Sequence, residues 1–161
     1  MTYLSVVSRD SVQIARAIAA LNDLDVLACD IHNAYLTADC RERVGVVFGA
    51  KFGFEAEKNM LAEKVLYGLK SSGAAFRDLL AETLDAMGYW LSYSDPNLWL
   101  RPTVKPDGYD YYEYLLFCVD NVLCISHNPQ KLMKRIQEDF NLKDNKIKHP
   151  NVYLGAKISN M

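Results

Sequence analysis

The stretch Leu115 to Ser126 reads LLFCVDNVLCIS, and ten of its twelve residues are small or apolar, yet Asp120 and Asn121 stand at its middle. A run of this kind belongs in a buried sheet. A carboxylate placed there loses much of its hydration and needs a partner, a proton or a metal to persist. One reading is a hairpin, with strands Tyr111 to Cys118 and Val122 to Ser126 joined at Val119-Asp120-Asn121, where Asp and Asn tolerate turn geometry. The other is that the turn presents a metal ligand, which requires a second carboxylate from elsewhere in the chain.

Half of the 161 residues are hydrophobic, enough for one domain with a substantial core. No run approaches the roughly 18 apolar residues of a membrane span, and the N-terminal MTYLSVVSRD lacks a signal-peptide pattern. A soluble, intracellular protein with no membrane partner is expected. Cys29, Cys40, Cys118 and Cys124 show neither C-x-x-C nor zinc spacing and read as buried free thiols. The net charge of -2 is unevenly spread: residues 129–161 carry seven Lys/Arg against three acids, and the other 128 carry eleven against seventeen. The basic end is either a phosphate-facing surface or a solvated helix face.

Spacing predicts an amphipathic helix over 11–22, with Asp10 as its cap, and a strand over Asp25 to Ile31. Strands are expected near Arg43 to Phe48 and Met60 to Leu66. A helix follows from Ser71 or Ser72 to Met87, stopped by Gly88, with Ala75, Leu79, Leu80, Thr83 and Met87 inward. Strands Leu98 to Val104 and Tyr109 to Cys118 flank the turn Lys105-Pro106-Asp107-Gly108. A helix over Pro129 to Phe140 and a closing strand over Asn151 to Ser159 complete an α+β order, an antiparallel sheet with helices packed on one face. In it, Asp30 ends one strand and Asp120 tops a hairpin, so adjacent central strands would bring both carboxylates to one end of the sheet. A divalent cation relieves their repulsion, and oxygen-only ligation suits Mg²⁺ shared with substrate phosphates.

The residues around these positions carry a resemblance. ACDIHNAYL is similar to motif A of copia-type retrotransposon reverse transcriptases, EKVLYGLKSSGAAFRDLL to their L-Y-G-L-K segment, FCVDNVLCIS to their Y-V-D-D hairpin, and NVYLGAKIS to their primer-end strand. The resemblance implies a right-handed polymerase palm in which Asp30 and Asp120 hold two Mg²⁺ or Mn²⁺ ions, the Ile31 carbonyl completes one site, and Asn121 joins the catalytic set. It implies a steric gate at Tyr35, whose alternative is a core aromatic, nucleotide or template contacts at Gly68 and Lys70, and primer support from Tyr153, Leu154 and Gly155. RNA template, DNA primer and deoxynucleoside triphosphates are the implied partners, and the cytoplasm, a virus-like particle or the nucleus the implied location.

Two departures temper this. The second carboxylate of Y-x-D-D is Asn121 here and its leading aromatic is Cys118. Fingers and thumb also go unmatched, so a single palm-like fragment of a longer polyprotein is expected, inactive or weakly active unless other chains supply the missing parts. The alternative is a domesticated, non-catalytic module retaining the fold for RNA or protein binding. Self-association through surfaces that fingers and thumb once covered is expected in either case.

Overall fold

The computed structural model describes residues 6–55, 57–143, 147, 149–150, 152–153 and 156–157. Two compact units divide the chain: Met1–Leu4 with Asn33–Leu80, and Ser5–His32 with Ala81–Met161. The second unit holds a five-stranded antiparallel sheet. Its strands are β1 (Asp25–Asp30), β4 (Trp90–Leu91), β5 (Leu98–Val104), β6 (Asp110–Cys118) and β7 (Asn121–Ser126), in the order β1-β7-β6-β5-β4. The expected α+β class, with hairpin-linked strands and four helices, is therefore present among the described residues.

Helices cover both faces of this sheet, where the sequence reading put them on one. Helix α1 (Arg9–Leu21) packs Val12, Ala15 and Ala19 against Leu116, Leu123 and Ile125. Helix α4 (Pro129–Asp139) buries Leu132, Met133 and Ile136, and its Met133 sulfur accepts from the Cys29 thiol at 3.4 Å, on the opposite side of the pleat. The reason lies in β7. Five successive residues, Val122 to Ser126, are buried, and alternate side chains of a strand point to opposite faces, so neither face of this strand is left to water. Each fully buried Leu or Ile contributes about 1.5–3 kcal/mol.

Several local expectations shift. Ser8, not Asp10, caps α1, its hydroxyl accepting from Ser11 N at 3.0 Å. Ser8 N and the Ser11 hydroxyl in turn donate to buried Asp95, at 2.8 and 2.6 Å. Burial opposes ionisation of Asp95, and these hydrogen bonds with that from Asn97 N outweigh it, holding the carboxyl below its usual range. Helix α3 (Ser72–Ala86) buries Phe76, Leu80 and Leu84 in place of the expected stripe, which shares only Leu80 with it. The i, i+4 spacing of the larger side chains decides that face. Gly88 ends this segment at φ +82°, a conformation that costs glycine nothing sterically.

The first unit carries helix α2 (Ala34–Thr37) and the ribbon of β2 (Gly45–Val47) with β3 (Asn59–Leu61), shorter than the two strands expected there. The expected Met60 to Leu66 strand stops at Leu61, and buried Val65 instead donates its N–H to Ala38 O at 3.0 Å. The closing strand Asn151 to Ser159 is likewise not one strand: β8 (Val152–Tyr153) pairs antiparallel with β9 (Ala156–Lys157). Of the four thiols, none is in a disulfide; Cys29 and Cys124 are buried and Cys40 and Cys118 half-buried. Among the described residues no helix is long and apolar enough to cross a membrane.

Candidate active site

The β6–β7 hairpin that the sequence foreshadows is one residue tighter than expected. Cys118 pairs with Asn121, so the link is Val119-Asp120 alone and Asn121 begins the second strand. Val119 holds φ +58°, the sign that the first position of the common two-residue hairpin turns of type I′ or II′ demands and that a β-branched residue resists. Such a conformation costs about 1–3 kcal/mol and persists where its surroundings over-determine it.

Across the hairpin lies β1. Its register against β7 pairs Asp25 with Ser126 and ends by pairing Asp30 with Asn121. The backbone continues this contact past the strand end, Ile31 N donating to Asp120 O at 2.7 Å. Asp30, Asn121 and Cys118 thus form one row over three adjacent strands, with Asp120 in the turn beside it. Asp30 and Asp120 are half-buried and Asn121 is exposed, so this end of the sheet faces water.

The electrostatics follow the geometry. The Cys29 thiol, next to Asp30, is pushed up to about 12, first by burial and then by the Asp30 charge. Burial and then the Asp120 charge raise Cys118 in the same way. Asp120 Oδ1 accepts from Asn121 Nδ2 at 3.0 Å, and among the described residues no Lys or Arg pairs with Asp120. Here a neutral amide stands where a third carboxylate would deepen the negative field.

As a donor set, two carboxylates, an amide oxygen and the Ile31 carbonyl are hard oxygen ligands. Among the described residues no group of three or more His, Cys, Asp or Glu is placed to hold a metal. Donors of this kind suit Mg²⁺ or Mn²⁺ in their chemistry, and they fall short of a closed all-protein cage.

The remaining predicted residues are placed separately. Tyr35, Gly68 and Lys70 belong to the first unit. There the Tyr35 ring lies 4.9 Å from that of Tyr67, tilted, and 6.0 Å from that of Phe76, edge-on. It is half-buried, and Lys70 is exposed. Gly68 adopts φ +96° in an open position where a side chain would meet strain and no neighbour. Tyr153 ends β8; Leu154 and Gly155 lie outside the described residues. The sequence reading missed that Cys118 completes the row with Asp30, because alignment of three strands is a register fact, not a spacing fact.

Comparison with known proteins agrees with these motifs. A family model described as "Reverse transcriptase (RNA-dependent DNA polymerase)" matches residues 1–160. The retrovirus-related Pol polyprotein from transposon TNT 1-94 of Nicotiana tabacum is 26% identical over an alignment of 144 residues that covers 86% of this chain and 10% of that polyprotein. The chain thus spans about a tenth of the length of the curated relative it matches. No solved structure matches it. On the motifs and on a family match over nearly its whole length, the chain belongs to the reverse transcriptase family, as a domain of the copia retrotransposon type.

Proposed function

We propose that the second unit is the catalytic half of a polymerase palm and that Asp30 and Asp120 are its metal-binding carboxylates, working on an RNA template, a DNA primer and deoxynucleoside triphosphates. The observation that carries this is the pairing of Asp30 with Asn121 at the strand ends, with Asp120 hydrogen-bonded through its backbone to Ile31. Bound divalent ions would supply activation of the primer 3′-hydroxyl and neutralisation of the triphosphate. The chain's own part is to present the two carboxylates together at one end of a rigid sheet, with the Ile31 carbonyl and the Asn121 amide oxygen as further ligands. Tyr35 is assigned the ring that disfavours a 2′-hydroxyl, Gly68 and Lys70 the nucleotide or template contact, and the 153–155 segment the primer terminus.

Asn121 lowers the activity of this site. An amide ligates without charge, so the ions bind more weakly than to a second turn carboxylate. Primer extension on a homopolymer template tests the reading: weak extension by the native chain, stronger extension by Asn121→Asp, and none by Asp120→Ala. Extension by Asp120→Ala equal to the native level refutes it. A second reading, a non-catalytic RNA-binding or protein-interaction module, is favoured by the Asn121 to Asp120 hydrogen bond, which quiets the turn carboxylate without a cation. Salt-dependent RNA retention without extension by any variant selects it.

A further inference from the structure

Beyond the carboxylate end, the opposite end of the same hairpin opens on a groove of about 790 Å³ that the proposed chemistry leaves unused. Its floor is Arg101, Tyr111 and Glu113 of β5 and β6, and its long wall is one stripe of α4, Lys131, Lys134, Arg135 and Glu138. Four cationic side chains line it against two carboxylates. Both carboxylates are already taken: Glu113 by Arg101, Tyr89 and Ser126, and Glu138 by Arg135. Lys131 and Lys134 are exposed, one helical turn apart, and among the described residues neither makes an ion pair. Their charge is uncompensated at the mouth of a concave site of ligand-binding size.

We propose that this groove binds the phosphate backbone of single-stranded nucleic acid, with Lys131 and Lys134 as its phosphate contacts and Arg135 as a structural wall. A polyanion is the occupant that charge complementarity selects, since Lys131, Lys134 and Arg135 of the basic 129–161 segment line the groove beside Arg101, while residues 1–128 are acidic overall. The choice of nucleic acid over an acidic peptide rests on the polymerase reading. The groove is distinct from the carboxylate site. Tyr111 and Cys118 are seven residues apart on β6, roughly 23 Å at 3.3 Å per residue, and α4 packs on the face opposite α1.

Fluorescence anisotropy with a labelled single-stranded oligouridylate tests this on the full chain, in chelator so that no metal contributes. The double variant Lys131→Gln/Lys134→Gln should bind several-fold more weakly at low salt. Two lost phosphate contacts should also flatten the slope of log affinity against log salt by about 1.4. Arg9→Gln, which removes an exposed cation from α1 on the opposite face, should bind like the native chain, and an unchanged thermal melt of the lysine variant excludes misfolding. Equal affinity and slope for native and lysine variants overturns the proposal, as does poly-glutamate displacing the RNA at equal charge concentration. Lysine-dependent RNA binding without primer extension would support the groove while refuting the catalytic reading.

Discussion

The two ends of the β6–β7 hairpin solve the same problem, a carboxylate on a sheet, in opposite ways. At the root, Glu113 is buried and wholly provided for. Arg101 Nε and Nη2 donate to it at 3.1 and 2.5 Å, the Tyr89 hydroxyl at 2.9 Å and the Ser126 hydroxyl at 2.6 Å. Burial works against the Arg101 charge, and the Glu113 hydrogen bonds outweigh it, raising its pKa; the Tyr89 phenol is raised mainly by burial. At the tip, Asp120 has a neutral amide for a side-chain partner and a strained residue before it. A charge answered inside the protein is structure. A charge answered only by a neutral amide is what the proposed metal site would use.

The largest expected effect breaks the comparison at its root. Glu113→Ala leaves the Arg101 guanidinium without its carboxylate and should cost about 3–5 kcal/mol. In a domain of this size that lowers the melting temperature by roughly 2–4 °C per kcal/mol. Asp120→Ala in chelator should change stability by less than about 1 kcal/mol in either direction. Similar losses for both in a thermal melt would mean that the tip is as structural as the root.

Metal should sharpen the contrast next. In chelator, Asn121→Asp should melt below the native chain, because its added carboxylate crowds Asp30 and Asp120. Saturating Mn²⁺ should reverse the order, since an ion at about a hundred times its dissociation constant adds roughly 2.7 kcal/mol. The native chain should gain less, and Asp120→Ala should remove the response in both backgrounds. Equal shifts in native and Asn121→Asp proteins would show that this position does not tune the site.

Two smaller effects probe the tip alone. Val119→Gly should stabilise by about 1 kcal/mol in chelator, because φ +58° is free for glycine and strained for valine. Denaturant midpoints read this directly, and a loss would place the strain elsewhere. The smallest is chemical. Burial and then the Asp120 charge raise the Cys118 pKa, so Asp120→Asn should lower it and speed alkylation of Cys118 a few-fold at mildly alkaline pH. Cys29, pushed up to about 12 by burial first, should stay unreactive in both proteins by peptide-level mass spectrometry. A Cys118 rate indifferent to residue 120 would separate the thiol from the carboxylate.

What the sequence disclosed divides along the same line. The apolar run interrupted by Asp-Asn announced the hairpin, and the periodicity of 11–22 and 129–140 announced both packing helices, because local spacing encodes them. The row Asp30, Asn121, Cys118 and the Arg101 to Glu113 pair exist only once the register is set, and no local pattern states a register. The same holds for Asp95, which anchors α1 only once the fold brings it to Ser8 and Ser11. The second covered face is not stated locally either: the apolar run of β7 marks burial in a sheet, but not which helix covers each side. The L-Y-G-L-K and Asp30 motifs named the family, through resemblance and not through spacing.

The most direct measurement of the central claim is Mn²⁺ binding to the intact chain, followed by loss of the free-ion electron paramagnetic resonance signal. The expected result is weak binding by the native protein, abolished in Asp30→Asn and in Asp120→Asn and tightened in Asn121→Asp. Binding that survives both Asp30→Asn and Asp120→Asn unchanged would contradict it and leave the tip of the hairpin as a turn.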